Sequence, residues 1–145
     1  MPADLVKIRP ATSRDATRIV DRLKRELTPE GGFWHNRDLI IKGVRAGELT
    51  VITVRGRVAG FLLHGDREMA ILEIWSTYRR RGLARRLAQF GMSRIYKAGA
   101  ERVCIQCTPF SSVPFWKSMG FVPENGDEWC NLLKHTPAEV QTGQP

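Results

Sequence analysis

The chain has 145 residues, 23 of them Lys or Arg and 15 Asp or Glu, for a formal net charge of +8. At 42% apolar and 26% charged it has the make-up of one globular domain, which excludes disordered, collagen-like and fibrous classes. No run approaches the ~18 apolar residues of a membrane span, and the start Met1-Pro2-Ala3-Asp4-Leu5 lacks the basic and apolar stretches of a secretory signal. The reading is therefore a cytoplasmic protein without a membrane partner. Three cysteines, an odd number, point to reduced thiols rather than a disulfide framework. The charge favours anionic partners, whether nucleic acid, an acidic protein or a phosphorylated cofactor.

In chain order, Leu5 to Pro10 alternates as a short strand, and Thr12-Ser13 offers a cap for a helix from about Arg14 to Leu27. Ala16, Ile19, Val20, Leu23 and Leu27 form one stripe on that helix. After the break at Thr28 to Gly32, a shorter helix is predicted over Asn36 to Arg45 with Leu39, Ile40 and Val44 on one side, ended by Gly47. Glu48 to Val54 and Val58 to Leu63 read as a hairpin across Arg55-Gly56-Arg57, and Glu68 to Trp75 adds a third antiparallel strand. Leu83 to Ala98 is a long helix, Glu101 to Cys107 a strand, and Ser111 to Met119 a helix ended by Gly120. Phe121 to Pro123 and Glu128 to Leu133 form a last hairpin. The predicted fold is α/β of the α+β kind: a mixed, largely antiparallel sheet with helices on both faces, in the order β-α-α-β-β-β-α-β-α-β-β. It makes one domain over residues 1–134, followed by a flexible polar tail over 135–145.

The densest chemical signal is Ile74-Trp75-Ser76-Thr77-Tyr78-Arg79-Arg80-Arg81-Gly82-Leu83-Ala84-Arg85-Arg86-Leu87. A strand enters a basic turn whose glycine opens a long helix, so the first-turn N–H groups have no helical partner. Open amides, the helix dipole and the small Gly82 and Ala84 together suit an anion, a pyrophosphate above all. A solvated basic helix start is the bland alternative. The absence of Gly-Lys-Ser/Thr excludes a P-loop, and the antiparallel meander before the turn excludes the dinucleotide fingerprint.

Arg79-x-x-Gly82-x-Ala84 resembles the Gln/Arg-x-x-Gly-x-Gly/Ala loop of the GNAT superfamily of N-acetyltransferases. Phe115-Trp116-Lys117-Ser118-Met119-Gly120-Phe121 is similar to that family's Φ-Tyr-x-x-x-Gly-Phe element, and the two motifs follow in the family's order across about nine tenths of the chain. The resemblance implies acetyl-CoA as cofactor. Its pyrophosphate would sit on the main-chain amides of Arg80, Arg81, Gly82, Leu83, Ala84 and Arg85, beside Arg79. Its pantetheine arm would pair with the strand edge Leu72 to Trp75, with Ile74 central, in a groove beside Glu101 to Cys107. The loop between the first two helices walls the acceptor site in that family, which makes Phe33 and Trp34 candidate substrate contacts; stapling of the loop to the core is their alternative role.

Acetyl transfer to a mostly protonated amine needs a proton acceptor. Glu68 lies where several members of the family place a base. Glu73 sits in an apolar run, where burial would raise its pKa; a solvated turn residue and an outward-facing side chain are the alternatives. His64, at the end of a strand, is a minor relay candidate. Two positions depart from the family: its frequent general-acid tyrosine is Trp116 here, which suits packing against the cofactor arm or the core, and its cofactor-contacting Asn falls near Pro109. Tyr78, Ser111, Ser112 or water would have to serve instead. Cys104 and Cys107 point to opposite strand faces and Cys130 stands alone, so neither a metal nor a redox pair is expected, and the three histidines have no ligand spacing.

The expected function is transfer of an acetyl group from acetyl-CoA to a small-molecule, peptide or protein amine by direct attack in a ternary complex, by a monomer or homodimer. A degenerate acyl-CoA-binding module and a basic nucleic-acid-binding domain are the rival readings, the latter disfavoured because the aromatics are not interleaved with the basic residues.

Overall fold

The computed structural model describes residues 5–29, 32–106 and 110–132. Its strands are β1 (Val6–Pro10), β2 (Leu49–Val54), β3 (Arg57–His64), β4 (Met69–Ile74), β5 (Arg102–Gln106), β6 (Val122–Asn125) and β7 (Glu128–Leu132). Its helices are α1 (Ser13–Arg25), α2 (Arg37–Ala46), α3 (Leu83–Lys97) and α4 (Val113–Ser118), with short 3₁₀ turns over Phe33–Asn36, Ser76–Tyr78 and Phe110–Ser112. The predicted order of elements is the observed one. The strands form two sheets, β1-β2-β3-β4 and β5-β7-β6. The tail over 135–145, with His135, lies outside the described residues, as do Cys107 and Pro109. No helix among the described residues is long and apolar enough to cross a membrane.

By its internal contacts the chain divides into two compact units, Met1–His64 with Ile71–Ala88, and Gly65–Ala70 with Gln89–Pro145. In the first, α1 starts on a capping box: Asp15 N–H donates to Thr12 Oγ1 at 3.1 Å, and Thr12 N–H donates back to Asp15 Oδ2 at 2.8 Å. Arg9 Nη1 completes the corner at 2.6 Å from the same carboxylate. Such a cap contributes roughly 1 kcal/mol. Ala16, Ile19 and Leu23 of α1 and Ile40 of α2 pack with Leu49, Val51, Phe61, Leu63, Ile71 and Trp75 in one buried cluster. Of the three residues predicted along α2, Ile40 is buried and Val44 packs on the cluster, whereas Leu39 is 53% exposed. Adjacent helical positions lie about 100° apart, so Leu39 and Ile40 cannot share a narrow stripe.

All six residues of β2 are buried, the signature of a strand covered on both faces. The β2–β3 ladder shifts register: Ile52 pairs with Gly60 and Thr53 with Val58, leaving Ala59 as the extra residue of a bulge. Ala59 C=O accepts from Trp75 N–H at 2.8 Å, which ties the end of β4 to this bulge. Gly60 is required there, because a Cβ would meet the Glu73 carbonyl and lie 3.0 Å from Ile74 Cα.

In the second unit, β5 and β7 pair antiparallel with Cys104 directly opposite Cys130. The two sulfurs are bonded, their Cα atoms 4.1 Å apart. This corrects the expectation of reduced thiols for this pair. Cys104 was weighed against Cys107, three residues away, while its partner lies 26 residues on across a ladder whose register the sequence pattern does not reveal. Asn131 is fully buried, donates from Nδ2 to Gly120 C=O at 3.0 Å, and offers its backbone carbonyl to Tyr96 Oη at 2.8 Å.

Candidate active site

In the first unit the chain leaves β4 at Ile74, passes the short turn Ser76–Tyr78, and enters α3 at Leu83. The bend is made by two residues in the left-handed region, Arg80 (φ +66°) and Gly82 (φ +77°). The first bond to close on the new helix is Arg86 N–H to Gly82 C=O at 3.2 Å. Among the described residues, the N–H groups of Arg80, Arg81, Gly82, Leu83 and Ala84 have no main-chain acceptor. A Cβ built at Gly82 meets nothing within 4 Å, so open space lies over it. Uncapped donors, a helix dipole and room above them are the features that suit an anion.

Arg79 does something the sequence does not disclose. Its Nε donates to Ile74 C=O at 2.9 Å and its Nη2 to Glu73 Oε2 at 3.0 Å. The guanidinium thus straps the turn back onto the end of β4. The carboxylate of Glu73 is well covered, its side chain 19% exposed. Burial pushes its pKa above the usual glutamate value, against the pull of the Arg79 charge and hydrogen bond; Glu26 adds a smaller push and Arg22 a smaller pull.

β4 is an edge strand of its sheet. Since Trp75 N–H turns toward β3, strand alternation directs the Leu72 and Ile74 amides away from it. Trp75 therefore departs from the edge role predicted for Leu72 to Trp75. Its amide is spent on Ala59, and its buried ring lies 5.9 Å from Phe61, with the Arg22 guanidinium 4.5 Å above it. A cavity of about 480 Å³, which the sequence reading missed, runs along the Arg18, Arg22 and Arg25 side of α1 to Arg57 and Trp75. The i, i+4, i+7 spacing of those arginines was its available signal.

Phe33 and Trp34 are half-buried against the first unit's core, and Arg37 lies 3.8 Å from the Trp34 ring centroid. His64 is buried at the end of β3.

Glu68 belongs to the second unit. It is exposed, accepts from Gly65 N–H at 2.8 Å through its carbonyl, and forms an isolated parallel bridge with Cys104. Trp116 is buried, edge-on to Phe121 at 5.2 Å and Phe115 at 4.8 Å. Its ring lies in the core of its unit.

Residues 41–141 match the family description "Acetyltransferase (GNAT) domain", well over half the chain. The protein belongs to the GNAT acetyltransferase family. No curated protein sequence matches it. Among solved structures it is similar to the PaiA N-acetyltransferase of Thermoplasma acidophilum in complex with coenzyme A (TM-score 0.69, 11% identity, 88% of this chain and 98% of that one). It is also similar to YncA of Salmonella typhimurium, a putative acetyltransferase with acetyl-CoA (0.66, 15%, 89% and 94%). A third likeness is to a GCN5-related N-acetyltransferase of Rhodopseudomonas palustris (0.66, 14%, 92% and 99%). At these identities the likeness speaks for the fold, a mixed α+β architecture with antiparallel sheets.

Proposed function

We propose that this chain is an N-acetyltransferase that binds acetyl-CoA at the turn into α3 and transfers its acetyl group directly to an amine. The observation that carries the reading is the row of main-chain donors from Arg80 to Ala84 without a main-chain acceptor among the described residues, under open space at Gly82. Five amides in one short arc match a pyrophosphate, which needs several donors close together. The outward amides of Leu72 and Ile74 would hold the amide-bearing arm of the cofactor as an added strand. When bound, acetyl-CoA would supply a thioester whose thiolate, from a thiol of pKa about 8.5, can leave without an obligatory acid. That removes the need for a tyrosine at Trp116.

The chain's own contribution is a proton acceptor for the amine. Glu73 is favoured, because a carboxylate whose pKa is raised by burial is a stronger base than an exposed one, and Arg79 fixes its orientation. Glu68 is the second candidate, reaching solvent freely.

A thermal-shift titration tests the reading. Acetyl-CoA at 100 times its Kd should add about 2.7 kcal/mol to stability, and an amine panel followed by free thiol should show turnover. Stabilisation without thiol release on any amine would mean a binding module instead. Stabilisation by nucleic acid alone, only at low salt, would mean the polyanion reading.

A further inference from the structure

A cavity of about 450 Å³ lies between the β2–β3 hairpin and the turn before α3, lined by Val54, Arg55, Arg57, Tyr78 and Arg81. Three of its five wall residues are arginines and none is acidic. Arg55, Arg57 and Arg81 form no ion pair among the described residues, and the Arg81 guanidinium lies 5.7 Å from the Tyr78 ring centroid. Three unneutralised cations around one space repel each other unless an anion joins them.

The backbone points to the same place. Among the described residues only two that are not glycine have a positive φ, Arg55 at +54° and Arg80 at +66°. Arg55 opens a two-residue turn in which Val54 pairs with Arg57 and Gly56 also has positive φ, a position where Asn or Asp is the relaxed choice. Arg80 immediately precedes Arg81. Arg55 thus walls the cavity itself and Arg80 adjoins a wall residue, and backbone strain of this kind concentrates at ligand sites.

We propose that this cavity is a monophosphate subsite for the 3′-phosphate on the ribose of coenzyme A. The inference rests on the proposed function, and it extends it through Arg81, whose amide belongs to the open row while its side chain walls the cavity. One residue then joins two anion sites, as one ribose joins the 5′-diphosphate and 3′-phosphate of the cofactor. A phosphate monoester carries close to two negative charges at neutral pH and takes guanidinium groups in paired hydrogen bonds.

Calorimetric titration of coenzyme A and of dephospho-coenzyme A into the same protein tests it. The wild-type chain should bind coenzyme A at least about tenfold more tightly, one well-made charged contact's worth. Arg55→Asn creates the relaxed Asn-Gly turn and should raise the Tm, yet lose most of that preference with dephospho-coenzyme A affinity unchanged. Arg57→Ser, on an exposed strand position, should lose the same preference with the Arg55-Gly56 turn unchanged. Equal affinities in the wild type, or a preference surviving in both variants, would overturn the subsite while leaving the cofactor reading intact. Failure of either ligand to bind the wild type would overturn both.

Discussion

At Glu73 burial and a neighbouring guanidinium oppose each other, and burial wins: the carboxyl's pKa is raised despite Arg79 at 3.0 Å. A raised folded-state pKa favours folding below the unfolded value, and that contribution is lost as pH rises through the folded one. Ionised Glu73 is therefore a cost to the fold at neutral pH. Glu73→Gln should keep or raise the Tm at pH 7 to 8 while lowering kcat/KM by about 10²- to 10⁴-fold. It should also abolish an acid limb that in the wild type lies above the ordinary glutamate range. An unchanged rate and limb would pass the role to Glu68. Asp15 is the contrasting case. Burial pushes its pKa up, but the Arg9 hydrogen bond and both Thr12 contacts outweigh it and hold the carboxyl low. Gly60 belongs to the same scale: Gly60→Ala would drive a methyl into the β4 backbone and should cost about 1–3 kcal/mol, read from a chemical denaturation curve.

Among the elements, the order of strands and helices was legible because each carries a local signal. The stripe on α1, the cap at Thr12, the glycine after α2 and the Arg55-Gly56 turn are all short-range features. What was not legible depends on pairing at a distance. The bulge at Ala59 takes its meaning from Trp75, and the strap from Arg79 needs the chain already folded back onto Ile74. The Cys104–Cys130 bond follows once β5 and β7 are set in register, which no spacing along the chain encodes. By closing a loop of 26 residues, that bond should contribute about 3.5 kcal/mol in the chain-entropy account. Reduction should lower the denaturant midpoint accordingly, and the Cys104→Ala/Cys130→Ala double variant should be insensitive to reductant. Equal stability with and without reductant would show the bond to be dispensable.

On the scale of the whole chain, a strongly basic composition acquires a location. The arginines that made the net charge ambiguous gather along one side of α1, at the β2–β3 hairpin and at the turn into α3. The motif Arg79-x-x-Gly82-x-Ala84 was readable because backbone chemistry demands small residues there. The roles of Arg55 and Arg57 were hidden because a hairpin arginine looks like any solvated one. The central claim is that the open amides from Arg80 to Ala84 hold the cofactor's pyrophosphate. Gly82→Asp tests it most directly, since aspartate tolerates the left-handed backbone and sets a carboxylate where the phosphates would lie. Titrating acetyl-CoA into both proteins, with circular dichroism to verify the fold, should give one site per chain in the wild type and at least a roughly hundredfold loss in the variant. Equal affinity in the two, or no binding by the wild type, would contradict the account.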